Sequence, residues 1–187
     1  MNKKAFTIGK GILLVLGIGA LAASVIVAPN IIQVIALIQK TSKKLDKYQS
    51  RSLRITLQRL KEQKFITIGE QDGKIIISIT EKGKKRVLQY QIDDMKIAIP
   101  EKWDKKWRIV IFDIPNKKTL ARNVLRDKLK ELGFCLIQKS VWLYPYDCKD
   151  EIDFLKEVYE IRPFVKLAVA ETIDNEEIYL RKFNLIK

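Results

Sequence analysis

Histidine is absent from the 187 residues, and cysteine is nearly so, with Cys135 and Cys148 alone. The first absence removes the commonest general base, the usual partner that activates a nucleophile, and every His-containing zinc site. The second leaves no disulfide framework and no structural metal cluster, because two thiols this far apart in the chain suit neither. They read as a reduced, intracellular pair, with Cys135 packed inside an apolar stretch. Acidic side chains are also scarce: 22 Asp and Glu stand against 36 Lys and Arg, for a net charge of +14. The deficit is uneven. Residues 1–100 hold 18 basic and 7 acidic side chains, a net of +11, whereas residues 101–187 hold 18 and 15, a net of +3. A polyanion therefore meets the N-terminal half first, and nucleic acid is the polyanion such a field suits. The length accommodates one large domain or two small ones, and we expect two.

Charge of either sign is missing from Gly11 to Gln39, GILLVLGIGALAASVIVAPNIIQVIALIQ. A run of that length meets the criterion for a membrane span. Lysines flank it on both sides, so the positive-inside rule assigns no orientation, and no cleavage site of the signal-peptide kind follows. Pro29-Asn30 splits the run, because proline disfavours helix at the residue before it and asparagine caps what comes next. The competing reading is two buried helices, 7–28 and 30–40, each packed on the rest of its domain. Residues 11–39 thus stand as either a membrane contact or a buried pair.

In SRSLRITLQRLKEQKF (50–65) Leu53, Leu57 and Leu60 fall at helical spacing, which leaves Arg51, Arg54, Gln58 and Lys61 aligned on the exposed side. FITIGEQDGKIIISIT (65–80) follows as two alternating strands around Asp72-Gly73, a strong hairpin-turn signal. Thr80 then caps a basic helix, EKGKKRVLQ. Three helices, a two-stranded wing and a further helix are the order of a winged helix-turn-helix domain over 1–90, with 30–40 supporting and 50–62 as the recognition helix. In that geometry Arg51, Arg54 and Gln58 face base edges in the major groove of double-stranded DNA. Lys61, Lys64, Lys74, Lys84, Lys85 and Arg86 serve phosphates, setting affinity and salt dependence instead of sequence choice.

Residues 91–106 are polar, contain Pro100 and read as a linker. Beyond them strands and helices alternate: a strand at 107–112, a helix at 117–132 with Leu120, Val124, Leu125, Leu129 and Leu132 inward, Gly133 as its C-terminal cap, strands at 134–138 and 140–145, a helix at 149–159 and a last strand at 163–172. The fold class expected is therefore α+β, with a ferredoxin-like βαββαβ domain over 107–187 after the winged helix. Such a sheet leaves one face open, and two copies commonly bury those faces together, so a homodimer is expected. On helix 117–132, Arg122, Arg126 and Lys130 form a basic stripe that reads either as phosphate contacts or as surface paired with Asp127 and Glu131.

The strings KWRIVIFDIP (106–115) and RDKLKELGFCLIQKSVWLYP (126–145), with the strand near 165–172, resemble the Cas-two-like domain found in the small CRISPR-adaptation nuclease and in PaaX-type transcriptional repressors. RITLQRLKEQKFI is similar to the recognition helix of the latter. The PaaX resemblance implies a dimeric, cytoplasmic, DNA-associated repressor that needs no cofactor. The nuclease resemblance implies a phosphodiesterase using Mg2+ or Mn2+, with Asp113, at the end of the first strand, as the catalytic or metal-binding acid. One chain offers one such carboxylate, so two copies would have to converge on the ion. Asp113 also has a structural reading, accepting backbone N–H groups in the turn or pairing with Arg122. Were 11–39 to span a bilayer, the protein would be membrane-tethered with cytoplasmic domains.

Overall fold

Two antiparallel sheets, each combined with helices, make an α+β protein whose chain divides into two units, Met1–Asp93 and Asp94–Lys187. The computed structural model describes residues 3–18, 25–28, 30–41, 45, 48 and 50–185.

In the first unit, helix α1 (Lys3–Ile18) buries Ile8, Ile12, Leu13 and Leu16, one stripe at helical spacing. The chain returns as strand β1 (Val25–Ala28), which pairs antiparallel with β3 (Lys74–Ile79) from Val25 opposite Ser78 to Ala28 opposite Ile75. This corrects the expected helix 7–28: its end is a strand, as the β-branched VIV triplet suits, while 19–24 and Pro29 lie outside the described residues. Helix α2 (Ile31–Thr41) begins where Asn30 Oδ1 accepts the Gln33 N–H at 3.0 Å, the N-cap expected of asparagine, and it buries Val34, Ile35 and Ile38. Among the described residues no helix is long and apolar enough to cross a membrane.

Helix α3 (Ser50–Glu62) buries Leu53, Thr56, Leu57 and Leu60. Strand β2 (Ile66–Gln71) then turns back through Asp72 and Gly73, both at positive φ (52° and 69°), into β3. That is the geometry in which an Asp-Gly pair matches the twist of a two-residue hairpin. Helix α4 (Glu81–Asp94) starts from Thr80, whose Oγ1 accepts the Gly83 N–H at 3.1 Å. Gly83 is required here by space. A Cβ at this position would lie 2.1 Å from the Phe65 carbonyl oxygen and 2.6 Å from Ile79 Cγ1.

In the second unit, β4 (Trp107–Phe112) lies between β6 (Val141–Tyr144) and β7 (Val165–Ala170), with β5 (Cys135–Gln138) outside β6; every pairing is antiparallel. A short 3-10 turn, Asn116–Lys118, leads into helix α5 (Thr119–Glu131), and helix α6 (Lys149–Val158) joins β6 to β7 through a second such turn, Arg162–Phe164. Leu125, Leu129, Ile152 and Leu155 from these helices are buried. Leu120, expected inward, is 79% exposed. At about 100° per residue it stands about 140° around the helix from Leu125, so it cannot share that face.

Strand β4 shows the pleat. Val110 and Phe112 bury on one side, while Trp107 and Ile109 belong to a cluster on the other, with Cys135 and Leu143. Sequence pattern gave no sign of what covers that cluster: helix α7 (Glu176–Lys182) and the residues after it pack Tyr179, Leu180 and Phe183 on it. The Trp107 ring meets Tyr179 and Phe183 at 6.3 and 6.0 Å, and its Nε1–H donates to Glu176 Oε1 at 2.6 Å. The face expected to be open is thus covered at its Trp107 end, while Ile111, farther along the strand, is 41% exposed. The expected linker 91–106 is corrected at both ends, since 91–94 continue α4 and 103–106 are fastened to the second unit. Trp103 Nε1–H donates to the carbonyls of Lys106 and Pro145, and buried Arg108 forks onto both oxygens of Asp104 at 2.7 and 2.6 Å.

Four helices stop in the same way. After α3, α5, α6 and α7 a residue at positive φ (Lys64, Gly133, Glu160, Asn184) donates its N–H three residues back, and the following residue donates five back. These two bonds satisfy the last carbonyls of each helix.

Candidate nucleic-acid interface

Burial of Leu53, Leu57 and Leu60 fixes what α3 shows to solvent: Arg51, Arg54, Ile55, Gln58, Arg59, Lys61 and Glu62 are all exposed. A cleft of about 700 Å³ runs beside the helix. Arg54, Ile55, Gln58 and Lys61 line it from α3, and Ile31, Ile68 and Ile75 line it from the start of α2 and from the hairpin. Gln58 Nε2 donates to Glu62 Oε1 at 3.2 Å, an exposed contact that a stronger partner can displace. Arg51, Arg54, Lys61 and Lys74 make no hydrogen bond or ion pair through their side chains among the described residues.

Arg59 lines that cleft too, whereas Lys64, Lys74, Lys84, Lys85 and Arg86 are spread around this unit and line no part of it. Lys64 sits at the helix stop with φ 60°, and Lys74 at the hairpin tip, opposite Gln71. Lys84 is engaged with Glu81 at 2.6 Å, which holds the Glu81 carboxyl below its usual range through the lysine hydrogen bond and charge. Lys85 is exposed. Arg86 lies over the rings of Phe65 and Tyr90, at 5.4 and 5.8 Å. Sequence reasoning missed Lys82, whose ammonium stands 4.9 Å from the Phe65 ring centre and donates to the Gln63 carbonyl. It also missed Ile55 and Arg59, although helical spacing alone places both on the side away from Leu53 and Leu57.

In the second unit Asp113 follows β4, its N–H donating to the Phe164 carbonyl at 3.0 Å and its side chain exposed. The expected pairing with Arg122 is not formed, because that guanidinium donates to Asn116 Oδ1 at 3.2 Å. Nor does the carboxylate take a backbone N–H among the described residues. No group of three or more Cys, Asp or Glu capable of holding a metal ion occurs among the described residues. The expected stripe divides as well: Arg126 and Lys130 line a second cleft of about 630 Å³ with Lys182 from α7, and Arg122 does not. Glu131, one of the two acids expected to pair with that stripe, is taken by buried Lys128 at 3.0 Å. Both cysteines are free and buried, and burial pushes the Cys148 thiol up to about 12.

Residues 100–178 match the family model of the PaaX protein central Cas2-like domain. No curated protein matches the chain. Among solved structures, an uncharacterized protein, Rv0674, from Mycobacterium tuberculosis aligns with 95% of this chain and 67% of its own length, at 16% identity and a TM-score of 0.38.

Proposed function

From a PaaX-like chain that carries a Cas2-like domain, we propose a dimeric, DNA-binding transcriptional regulator, acting as a repressor in the cytoplasm. The first unit is read as a winged helix-turn-helix, with α2 and α3 as the helical pair and β2–β3 as the wing. The second, with strand order β5-β6-β4-β7, is read as a ferredoxin-like module that joins two copies. The observation that carries the reading is the outward face of α3. Arg51, Arg54 and Gln58 project from the side opposite its buried leucines, and both arginines are free of internal partners among the described residues. Arginine forks onto guanine and glutamine onto adenine in the major groove. Lys61, Lys64, Lys74, Lys84, Lys85 and Arg86 supply phosphate contacts around it. Dimerisation through the second unit would present two recognition helices to a two-fold site, and exposed Ile111 on the uncovered part of the sheet suits such a contact.

Selection of bound sequences from a random duplex library, followed by fluorescence anisotropy, tests the reading. Specific binding that is lost in Arg51→Ala/Arg54→Ala supports it, and absence of any enriched sequence refutes it. A monomer by light scattering would remove the dimer. Cleavage of DNA or RNA with Mg2+ or Mn2+, abolished by Asp113→Asn, would replace the regulator with a nuclease.

A further inference from the structure

One residue on the outward face of α3 does not fit a purely polar surface. Ile55 is 55% exposed and lies within the cleft lining between Arg54 and Gln58. It stands four residues after Arg51 and three before Gln58, so its side chain neighbours both on the helix surface. The hairpin and α2 leave most of it uncovered: Ile31, Ile68 and Ile75 line the same cleft and are themselves packed on the core, but Ile55 is not part of that cluster. A β-branched aliphatic side chain gains nothing from this position as regards helix formation. Its apolar surface is therefore available to a partner that covers it.

We propose that Ile55 is a specificity-determining residue that reads the C5-methyl group of a thymine. The inference rests on the reading of α3 as the DNA-recognition helix. Cationic Arg51 and Arg54 on one side of it and Arg59, four residues on, fit a polyanionic partner, and this argues against an apolar protein surface as the occupant. The major groove offers one apolar group among its base edges, the thymine methyl, and aliphatic side chains are its natural contacts. A thymine next to the bases addressed by Arg54 and Gln58 would therefore be preferred over cytosine, which lacks that methyl.

The test uses the full chain and the duplex obtained by selection. Each thymine is replaced singly by deoxyuridine, which removes only the methyl, and affinity is read by anisotropy for wild type and Ile55→Ala. At one position in each half-site the replacement should weaken wild type by about fourfold, the order expected for burying one methyl group. Ile55→Ala should be insensitive there, and 5-methylcytosine at that position should bind wild type better than cytosine. Specific binding with no thymine whose methyl couples to Ile55 overturns this inference and leaves the DNA-binding reading intact. Failure to select any sequence overturns both. An Ile55→Ala effect on self-association with none on DNA assigns the residue to a protein contact and overturns the inference.

Discussion

Gly83→Ala should destabilise the first unit even though it places a better helix former in α4. The added Cβ would lie 2.1 Å from the Phe65 carbonyl oxygen, 3.1 Å from its carbon and 2.6 Å from Ile79 Cγ1. Two of these are backbone atoms, so no rotamer change removes the clash. The same carbonyl accepts the Thr80 N–H at 3.0 Å, and Thr80 Oγ1 caps α4 through Gly83 N–H. Moving Phe65 or α4 to make room therefore also strains the cap. Overpacking costs about 1–3 kcal/mol and a weakened cap about 1 kcal/mol, against a gain of up to about 1 kcal/mol from replacing glycine in a helix. The net is a loss of about 2 kcal/mol, or a midpoint lower by roughly 8–16 °C for a unit of this size. All three tryptophans, Trp103, Trp107 and Trp142, lie in the second unit. Far-UV circular dichroism follows both units in thermal melts, and tryptophan emission follows the second alone. Gly69→Ala, where a Cβ would meet nothing within 4 Å, is the control and should change little. A Gly83→Ala midpoint equal to or above wild type would refute the steric argument.

Acid stability should depend on Asp153, whose carboxyl is held down to about 2 by hydrogen bonds from Lys149 and Lys156. Because its folded value lies below that of the unfolded chain, the stabilisation is complete above about pH 4 and disappears as pH falls through about 2; urea titrations of Asp153→Asn should differ from wild type at neutral pH and converge with it at the acid end. Cys148, with its thiol pushed up to about 12 by burial, should resist alkylation in the native protein at neutral pH and react once guanidinium unfolds it; rapid native labelling located at Cys148 by mass spectrometry would contradict that burial. If Lys61 and Lys74 contact phosphates, each alanine variant should lower the slope of log affinity against log salt by about 0.9 while leaving sequence preference unchanged. An altered preference would move that lysine to the base-reading set.

Local chemistry made some elements legible and left others hidden. Asp72-Gly73 announced its hairpin because few residue pairs tolerate positive φ twice. Leu53, Leu57 and Leu60 announced α3 because one apolar face at a 3.6-residue period leaves little choice of orientation. Strand β1 was hidden because it lies within a run that is apolar throughout, where helix and strand have no contrasting periodicity to separate them. The arginines of α3 could be placed from spacing alone, whereas the partition of Arg122, Arg126 and Lys130 could not. It depends on Asn116 reaching one of them and on Lys182 arriving from α7, a helix of seven residues with too short a pattern to read. Trp103 was hidden in a stretch that looks like a linker by composition, because its hydrogen bond to Pro145 spans 42 residues of sequence.

The shared stop of the four helices has an evolutionary consequence. Only one of the four left-handed positions is glycine; Lys64, Glu160 and Asn184 hold a conformation in which a Cβ is disfavoured. Glycine at Lys64 and Glu160 would each recover on the order of 1 kcal/mol, and less at Asn184, since asparagine tolerates this region best. These sites belong to different helix ends, so their gains should add. The protein thus holds a reserve of stability that single substitutions can reach, available to offset harmful changes elsewhere. At Lys64 drawing on it would also remove a positive charge between α3 and the hairpin; if Lys64 contacts phosphate as proposed, selection for tight binding and selection for robustness would act on that residue in opposite directions.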